Sequence, residues 1–205
     1  MNGASYVNNA GAFLIQTLFG FYILIVMLRF LLQWVRADFY NPLVQFLVKL
    51  TNPPLIPLRR FIPGFMGLDM AAVVLMLVLK MVEILMLDAM GAYAYIIQIR
   101  PDAYSLGILP LLILAITDLL RLLLNVFMFA IFIFVIMSWI NPDPRHPVVT
   151  LLRQLTAPIL RPAHNLLPPI SGIDLSPMLV LIILMLLKML LIAPLWDMGR
   201  SLALT

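Results

Sequence analysis

The segment 34–69, WVRADFYNPLVQFLVKLTNPPLIPLRRFIPGFMGLD, decides the fold because the chain contains it twice. A shift of 105 positions places it over 139–174, WINPDPRHPVVTLLRQLTAPILRPAHNLLPPISGID, without a gap, and thirteen of the thirty-six residues are identical. The identities include four prolines, a glycine and two aspartates. Proline and glycine act on backbone geometry, so the two copies share a loop shape rather than a reactive group.

Long apolar stretches flank each copy. Residues 12–34 and 70–90 enclose the first copy, and residues 117–139 and 176–196 enclose the second. Each stretch reaches the length of about 20 residues that a membrane-spanning helix needs. We therefore predict an all-helical membrane protein with about four transmembrane helices, arranged as two parallel-repeat hairpins.

The composition agrees with a membrane protein. Apolar residues make up 64% of the chain and charged residues 11%, and the mean hydropathy is +1.10. Soluble proteins carry about 25% charged residues, so a soluble enzyme is excluded. The absence of cysteine excludes disulfides and thiolate metal sites. The sequence has no phosphate loop, nucleophile elbow or zinc motif, so we expect neither an enzyme activity nor a cofactor.

The organisation of the chain follows from the repeat. We assign residues 12–97 to the first repeat and 117–196 to the second. The intervening segment, 98–116, carries Arg100, Pro101 and Asp102 before a short apolar stretch that Pro110 interrupts. We expect a linker or interfacial helix that leads into the third span, and a fifth span is the alternative.

Basic residues concentrate in the two repeat loops. The first loop carries Arg36, Lys49, Arg59 and Arg60, and the second carries Arg145, Arg153 and Arg161. By the positive-inside rule, both loops lie in the cytoplasm and both termini lie on the outer side.

Each loop begins with the pattern of an amphipathic helix. In the first copy Gln45, Lys49 and Asn52 recur at i, i+4 and i+7, which leaves a broad apolar face. Such a helix lies in the membrane interface. Pro42 and Pro147 suit its first turn in the two copies.

The ends of the loops carry stop and cap signals. Pro53 and Pro158 are expected to end the interfacial helices, which leaves an extended, proline-rich segment after each of them. Asp69 and Asp174 close the loops and are expected to cap the returning spans, since a carboxylate accepts from the free amides of a helix start. Ser176 offers an alternative cap in the second copy.

The pattern W…P…LT.P.L.P.R..IP..G.D, which continues as GIDLSP at 172–177, resembles the YggT (YlmG) family of integral membrane proteins. The resemblance covers nearly the whole chain as two tandem copies. The first copy lacks the SP after its aspartate; the second lacks the arginine that the first keeps as Arg29, and has His164 where an arginine is common. The resemblance implies a protein of the bacterial inner membrane, so the termini that the positive-inside rule places on the outer side are expected to be periplasmic. It also implies associations with osmotic-stress tolerance, cell or plastid division, nucleoid distribution and, in plastids, cytochrome assembly.

Several ionisable residues fall inside the spans. Lys80 and Glu83 lie near the middle of the second span, Asp88 lies further out, and Lys188 has a comparable depth in the fourth span. Because such groups are costly in a bilayer, we predict that these four form an intramembrane polar cluster on the pseudo-symmetry axis. The cluster either fixes helix packing or an oligomer, or lines an ion or proton path.

Two further groups of charges have simpler interpretations. Asp118 and Arg121, at i and i+3 near the outer end of the third span, predict a local ion pair of structural importance. Arg29, near the cytoplasmic end of the first span, is expected to extend its guanidinium to solvent.

These observations favour a non-enzymatic membrane scaffold or assembly protein that holds a protein partner or a second copy of the chain, or organises anionic lipid headgroups. Nucleic acid is not expected, because the basic loops lack an aromatic platform. The alternative is an ion-transport component or regulator, for potassium or protons, acting through the Lys80 and Glu83 cluster. The candidate contact residues on the loops are Arg36, Lys49, Pro57, Arg59, Arg60, Arg145, Arg153, Arg161 and Pro162.

Overall fold

The computed structural model describes residues 3–65, 67–99, 105–140, 143, 146–166 and 174–204. The helices within these ranges are, in chain order, α1 Gly3–Trp34, α2 Pro42–Phe61, α3 Met70–Ala89, α4 Tyr93–Ile96, α5 Ile108–Ile140, α6 Pro147–Leu166, α7 Ser176–Leu187 and α8 Ala193–Leu202. A π-helical segment, Lys188–Ile192, joins α7 to α8.

Four stretches of the described residues are long and apolar enough to cross a membrane. They are Tyr6–Trp34, Met70–Ala89, Ile108–Ile140 and Ser176–Leu202. The described residues contain no β-strand. The prediction of an all-helical protein with about four membrane-spanning helices is therefore confirmed.

The third span begins earlier than the sequence pattern predicts. Helix α5 starts at Ile108, so the apolar stretch before residue 117 is its first part. Pro110 lies in the first turn, where backbone amides have no intrahelical acceptor and a missing N–H costs nothing. The fourth span also continues past residue 196, through the π-helical segment that precedes Pro194. Proline cannot donate to the carbonyl four residues back, and this accounts for the local change of helix type.

The prediction that Pro53 and Pro158 end the loop helices is wrong. Helix α2 continues through Pro53, Pro54 and Pro57, and α6 continues through Pro158 and Pro162. Burial explains the difference, because both helices pack a face against the bundle on both sides of their prolines. Tertiary packing of that face outweighs the local preference of proline.

The proline sites in α2 also receive hydrogen bonds from α1. Pro54 has no amide to donate to the Leu50 carbonyl, and that carbonyl instead accepts from the Tyr22 hydroxyl at 3.5 Å. Two turns further along α1, Arg29 donates to the Val48 carbonyl at 3.3 Å. The Tyr22 hydroxyl therefore serves the carbonyl that Pro54 leaves without a backbone donor, and Arg29 adds a second hydrogen bond between α1 and α2.

The core places the two loop helices at one end of the bundle. Its larger cluster joins the middle of α1 and α5 to the start of α3 and α7, and includes Leu55 of α2 and Leu155 of α6. A second cluster joins Ala12 to Leu87, Ile97 and Leu114 at the opposite end. Helices α1 and α5 thus run in one direction, and the loop that follows each of them lies at the same end.

Candidate functional site

Helices α2 and α6 contact each other directly, and together they are called the loop platform below. The Asn41 side-chain amide donates to the Pro147 carbonyl at 3.0 Å, and the Asp38 amide donates to the Gln154 side-chain oxygen at 3.4 Å. Residues of one repeat thereby fix the start of the helix in the other. The two loops form one surface rather than two independent ones.

Asn41 also caps a helix, a role that was not predicted from the sequence pattern. It is the N-cap residue of α2, and its side-chain oxygen accepts from the Leu43 amide at 2.9 Å. Asparagine followed by proline is a recognised helix-start signal, so the cap was available in the sequence. Its hydrogen bond to the Pro147 carbonyl could not be predicted from the sequence, because that contact joins positions 106 apart in the chain.

The first loop closes through a buried carboxylate. Asp69 is 5% exposed, is the N-cap residue of α3, and accepts from the Ala72 amide at 3.3 Å. Its second oxygen pairs with Arg59, whose guanidinium also donates to Gln33 at 3.5 Å. Arg59 therefore connects the end of α2 to both α1 and α3.

The second loop closes in a looser way. Asp174 accepts from the Ser176 amide at 2.9 Å and lies 3.2 Å from the His164 ring nitrogen Nδ1. The N-cap residue of α7 is Leu175, which makes no side-chain cap bond, and Ser176 is the first helical residue. Asp174 and Ser176 thus do not occupy the cap position itself, because the helix starts at Ser176, two residues beyond Asp174, and Leu175 is the cap.

The other basic residues predicted on the loops face solvent. Lys49, Arg60, Arg153 and Arg161 are exposed and form no ion pair with the described residues, and Pro57 and Pro162 are exposed beside them. Arg36 lies in the turn after α1. Arg145 is outside the described residues. The platform therefore presents basic side chains that no residue of the described chain neutralises.

Inside the spans, the ionisable residues form a charge network that differs from the predicted cluster. The Lys80 ammonium lies 3.0 Å from both carboxylate oxygens of Glu83 and 3.3 Å from Asp118. Asp118 in turn lies 3.5 Å from Arg121, whose guanidinium stacks 4.3 Å from the Trp196 ring centre. Two cations and two carboxylates from α3 and α5 thus neutralise one another. The predicted ion pair between Asp118 and Arg121 is thus present, and Asp118 joins it to Lys80 of α3.

Lys188 and Asp88 stand apart from this network. Lys188 donates to the Asn125 side-chain oxygen at 2.9 Å, and Asp88 is half-buried without an ion pair among the described residues. Asn125 was missed from the sequence, although an amide inside an apolar span signals a polar partner. Trp196 was missed as well, and its stacking on Arg121 carries no local sequence signal.

Among the described residues, no group of three or more histidines, aspartates and glutamates could hold a metal ion.

Comparison with known proteins gives a family. A family profile described as CCB3/YggT matches residues 8–90 and again residues 113–195. An uncharacterized protein of Pseudomonas aeruginosa is 45% identical over 91% of this chain and 90% of its own length. An uncharacterized protein of Vibrio alginolyticus, from the proC 3' region, is 36% identical over 92% and 98%. The uncharacterized protein YggT of Escherichia coli K12 is 34% identical over 88% of each chain. No solved structure matches.

Proposed function

Because this chain belongs to the CCB3/YggT family, which the two tandem matches and the relatives establish, we propose that it is a non-enzymatic scaffold or assembly protein of the bacterial inner membrane. The observation that best supports this proposal is the loop platform, in which hydrogen bonds between the two repeats join α2 to α6. A protein partner, or a second copy of the chain, contacts the exposed basic side chains of this surface.

The orientation belongs to the same proposal. Both loops face the cytoplasm and both termini face the periplasm, since lysines and arginines concentrate in the loops. The loop helices lie in the interface, where exposed apolar residues such as Phe46 and Ile56 enter the acyl boundary and exposed charges such as Lys49 stay in water.

The test is complementation of a strain that lacks the gene, scored by growth at high osmolarity and by the size of the complex extracted in mild detergent. The platform variant combines Pro57→Ala, Arg60→Gln, Arg161→Gln and Pro162→Ala. Lys49 and Arg153 are retained so that positive charge still orients the chain. We expect this variant to reach the membrane at the natural level, to lose the complex and to fail in growth.

Glu83→Gln is the matched control, because it changes the spans and leaves the platform intact. It is expected to keep both the complex and growth. Natural growth and an unchanged complex in the platform variant would refute the scaffold proposal.

Ion transport is the second candidate, and the charge network inside the spans is the observation that favours it. Lys80 lies between the carboxylates of Glu83 and Asp118, and such an arrangement allows its ammonium to exchange partners as an ion passes. This candidate expects potassium or proton flux in liposomes that falls in Glu83→Gln. The scaffold proposal expects liposomes that are as tight as empty ones.

A further inference from the structure

A cavity of about 530 Å³ opens between α1 and α2, beside the C-terminal end of α1. Arg29, Arg36 and Arg59 line it, together with Gln33 and Asn52. None of the described residues that line it is acidic. We call it the arginine pocket, and its wall is strongly positive.

Arg29 is the deepest of the three arginines. It is only 6% exposed, so it does not reach solvent in the way that its place near the end of the span predicts. Its Nη1 atom donates to the Thr51 hydroxyl at 2.5 Å and to the Val48 carbonyl at 3.3 Å. Both acceptors are neutral, and none of the ion pairs of the described residues involves Arg29. A buried guanidinium without a counter-ion is unfavourable, and a negatively charged ligand would compensate it.

Arg36 lines the pocket from an unusual backbone position. The Ala37 amide donates to the Leu32 carbonyl at 2.8 Å, and the Arg36 amide donates to the Gln33 carbonyl at 3.1 Å. This is a Schellman turn, and Arg36 occupies its left-handed position with φ of +53°. Glycine is the usual residue there, so the chain accepts backbone strain at a place where an arginine side chain lines the pocket.

Arg59 is held in place by one group outside the pocket and by one group of its lining. It pairs with Asp69 and donates to Gln33 at 3.5 Å. Asp69 pairs with Arg59, whereas Arg29 and Arg36 form no ion pair with the described residues, so the site keeps a net positive charge.

The three arginines of the pocket are particular to the first repeat in the sequence. At the register positions of Arg29, Arg36 and Arg59 the second copy has Phe134, Asn141 and His164. Since the loop backbone signals persist in both copies, a structural need of the loop does not explain the three arginines.

We propose that the arginine pocket binds a phosphate group, carried either by an anionic phospholipid headgroup or by free phosphate. Guanidinium groups bind phosphate oxygens in pairs through charge-assisted hydrogen bonds, and several of them around one cavity favour this oxyanion. Arg29 supplies charge from the base, and Arg36 and Arg59 close around the ligand from the rim. This binding site is additional to the scaffold role and does not depend on it.

The test uses the full purified chain in two arms. In the first arm, inorganic phosphate is titrated calorimetrically into protein held in phosphatidylcholine nanodiscs. In the second arm, native mass spectrometry compares retention of phosphatidylglycerol with retention of phosphatidylcholine by protein in detergent. Arg36→Gln removes one lining charge, and Arg60→Gln removes one charge from the same loop outside the lining. We expect about tenfold weaker binding for Arg36→Gln and natural binding for Arg60→Gln.

Gln33→Glu is the second variant, since it keeps an acceptor for Arg59 and adds a negative charge to the pocket. It is also expected to weaken binding. A response to inorganic phosphate alone assigns free phosphate, and a preference for phosphatidylglycerol assigns the headgroup; both support the site. The proposal is overturned if neither probe binds, if both pocket variants bind like the natural chain, or if Arg60→Gln weakens binding as much as Arg36→Gln.

Discussion

The loops of the first and second repeats share their frame. Thr51 donates its hydroxyl to the Leu47 carbonyl at 2.6 Å, and the register-equivalent Thr156 donates to Leu152 at 2.8 Å. Both loop helices span twenty residues and continue through internal prolines. The residues that set this geometry are those that remain identical between the copies.

The charges of the two loops differ. The first closes with Arg59 on a buried Asp69, whereas the second closes with His164 on an Asp174 side chain that is 35% exposed. A guanidinium keeps its charge at physiological pH, and an imidazole is charged only when it is protonated. The comparison teaches that the frame is common to both copies, whereas the first loop closes with a permanently charged arginine and the second with a histidine.

The spans repeat this asymmetry, and the largest predicted effect lies there. Lys80→Met introduces the residue that the second repeat has at the equivalent position, Met185. It leaves the carboxylates of Glu83 and Asp118 without the ammonium between them, so we expect a loss of about 3–5 kcal/mol of unfolding free energy. Lys188→Met is the control, because its partner Asn125 is neutral, and it should cost less than about 1 kcal/mol. Steric-trapping measurements in bicelles compare the two, and equal losses would remove the distinction between the spans.

The two closing carboxylates give the next effect. Asp69→Ala removes a helix cap and the partner of Arg59, and we expect it to cost about 1–2 kcal/mol. Asp174→Ala removes a more exposed group outside the cap position, and should cost less than about 1 kcal/mol. Thermal unfolding in detergent, followed by tryptophan fluorescence, ranks the two variants. A larger loss for Asp174→Ala would reverse the assignment of the tighter closure to the first loop.

Arg36→Gly is expected to stabilise the folded chain, whereas the preceding variants destabilise it. Glycine adopts the left-handed position without a Cβ penalty, so the folded chain should gain about 0.5–1 kcal/mol. Because the same change removes a pocket charge, phosphate binding should fall while thermal stability rises. Loss of stability would contradict the strain assigned to Arg36.

The smallest effect is expected from His164→Arg, which gives the second loop the arginine that the first loop has at the equivalent position, Arg59. The new pair with Asp174 is partly exposed and should contribute no more than about 1 kcal/mol. Thermal unfolding in detergent compares the effect of His164→Arg in the natural chain with its effect in Asp174→Ala. A stability gain that is equally large without Asp174 would contradict the pairing.

Much of this architecture could be predicted from the sequence because the deciding signals are periodic or repeated. Four apolar stretches and a duplicated loop give the helices and their order. The errors arose where tertiary packing outweighs a local rule: α2 continues through Pro53, and α5 starts before Pro110. In α2 the Tyr22 hydroxyl serves the carbonyl that Pro54 leaves without a donor, and in α5 Pro110 lies in the first turn, where no amide is needed.

The candidate sites were less accessible from the sequence. The pairing of Lys80 with Glu83 follows from their spacing, but its extension to Asp118 depends on the depth at which α5 begins. The arginine pocket brings together residues from α1, the following turn and α2, and the left-handed conformation of Arg36 has no local signal. Contacts between distant segments require the packed bundle.

The claim most central to the account is that both loops form one platform on the cytoplasmic face. The chain has no cysteine, so single cysteines introduced at the exposed Arg60, Arg161 and Asn9 report the side on which each lies. A membrane-impermeant maleimide applied to sealed inside-out vesicles should label positions 60 and 161 and leave position 9 unlabelled, with the reverse in right-side-out vesicles. Labelling of positions 60 and 161 from opposite sides, or of both from the periplasmic side, would contradict the account.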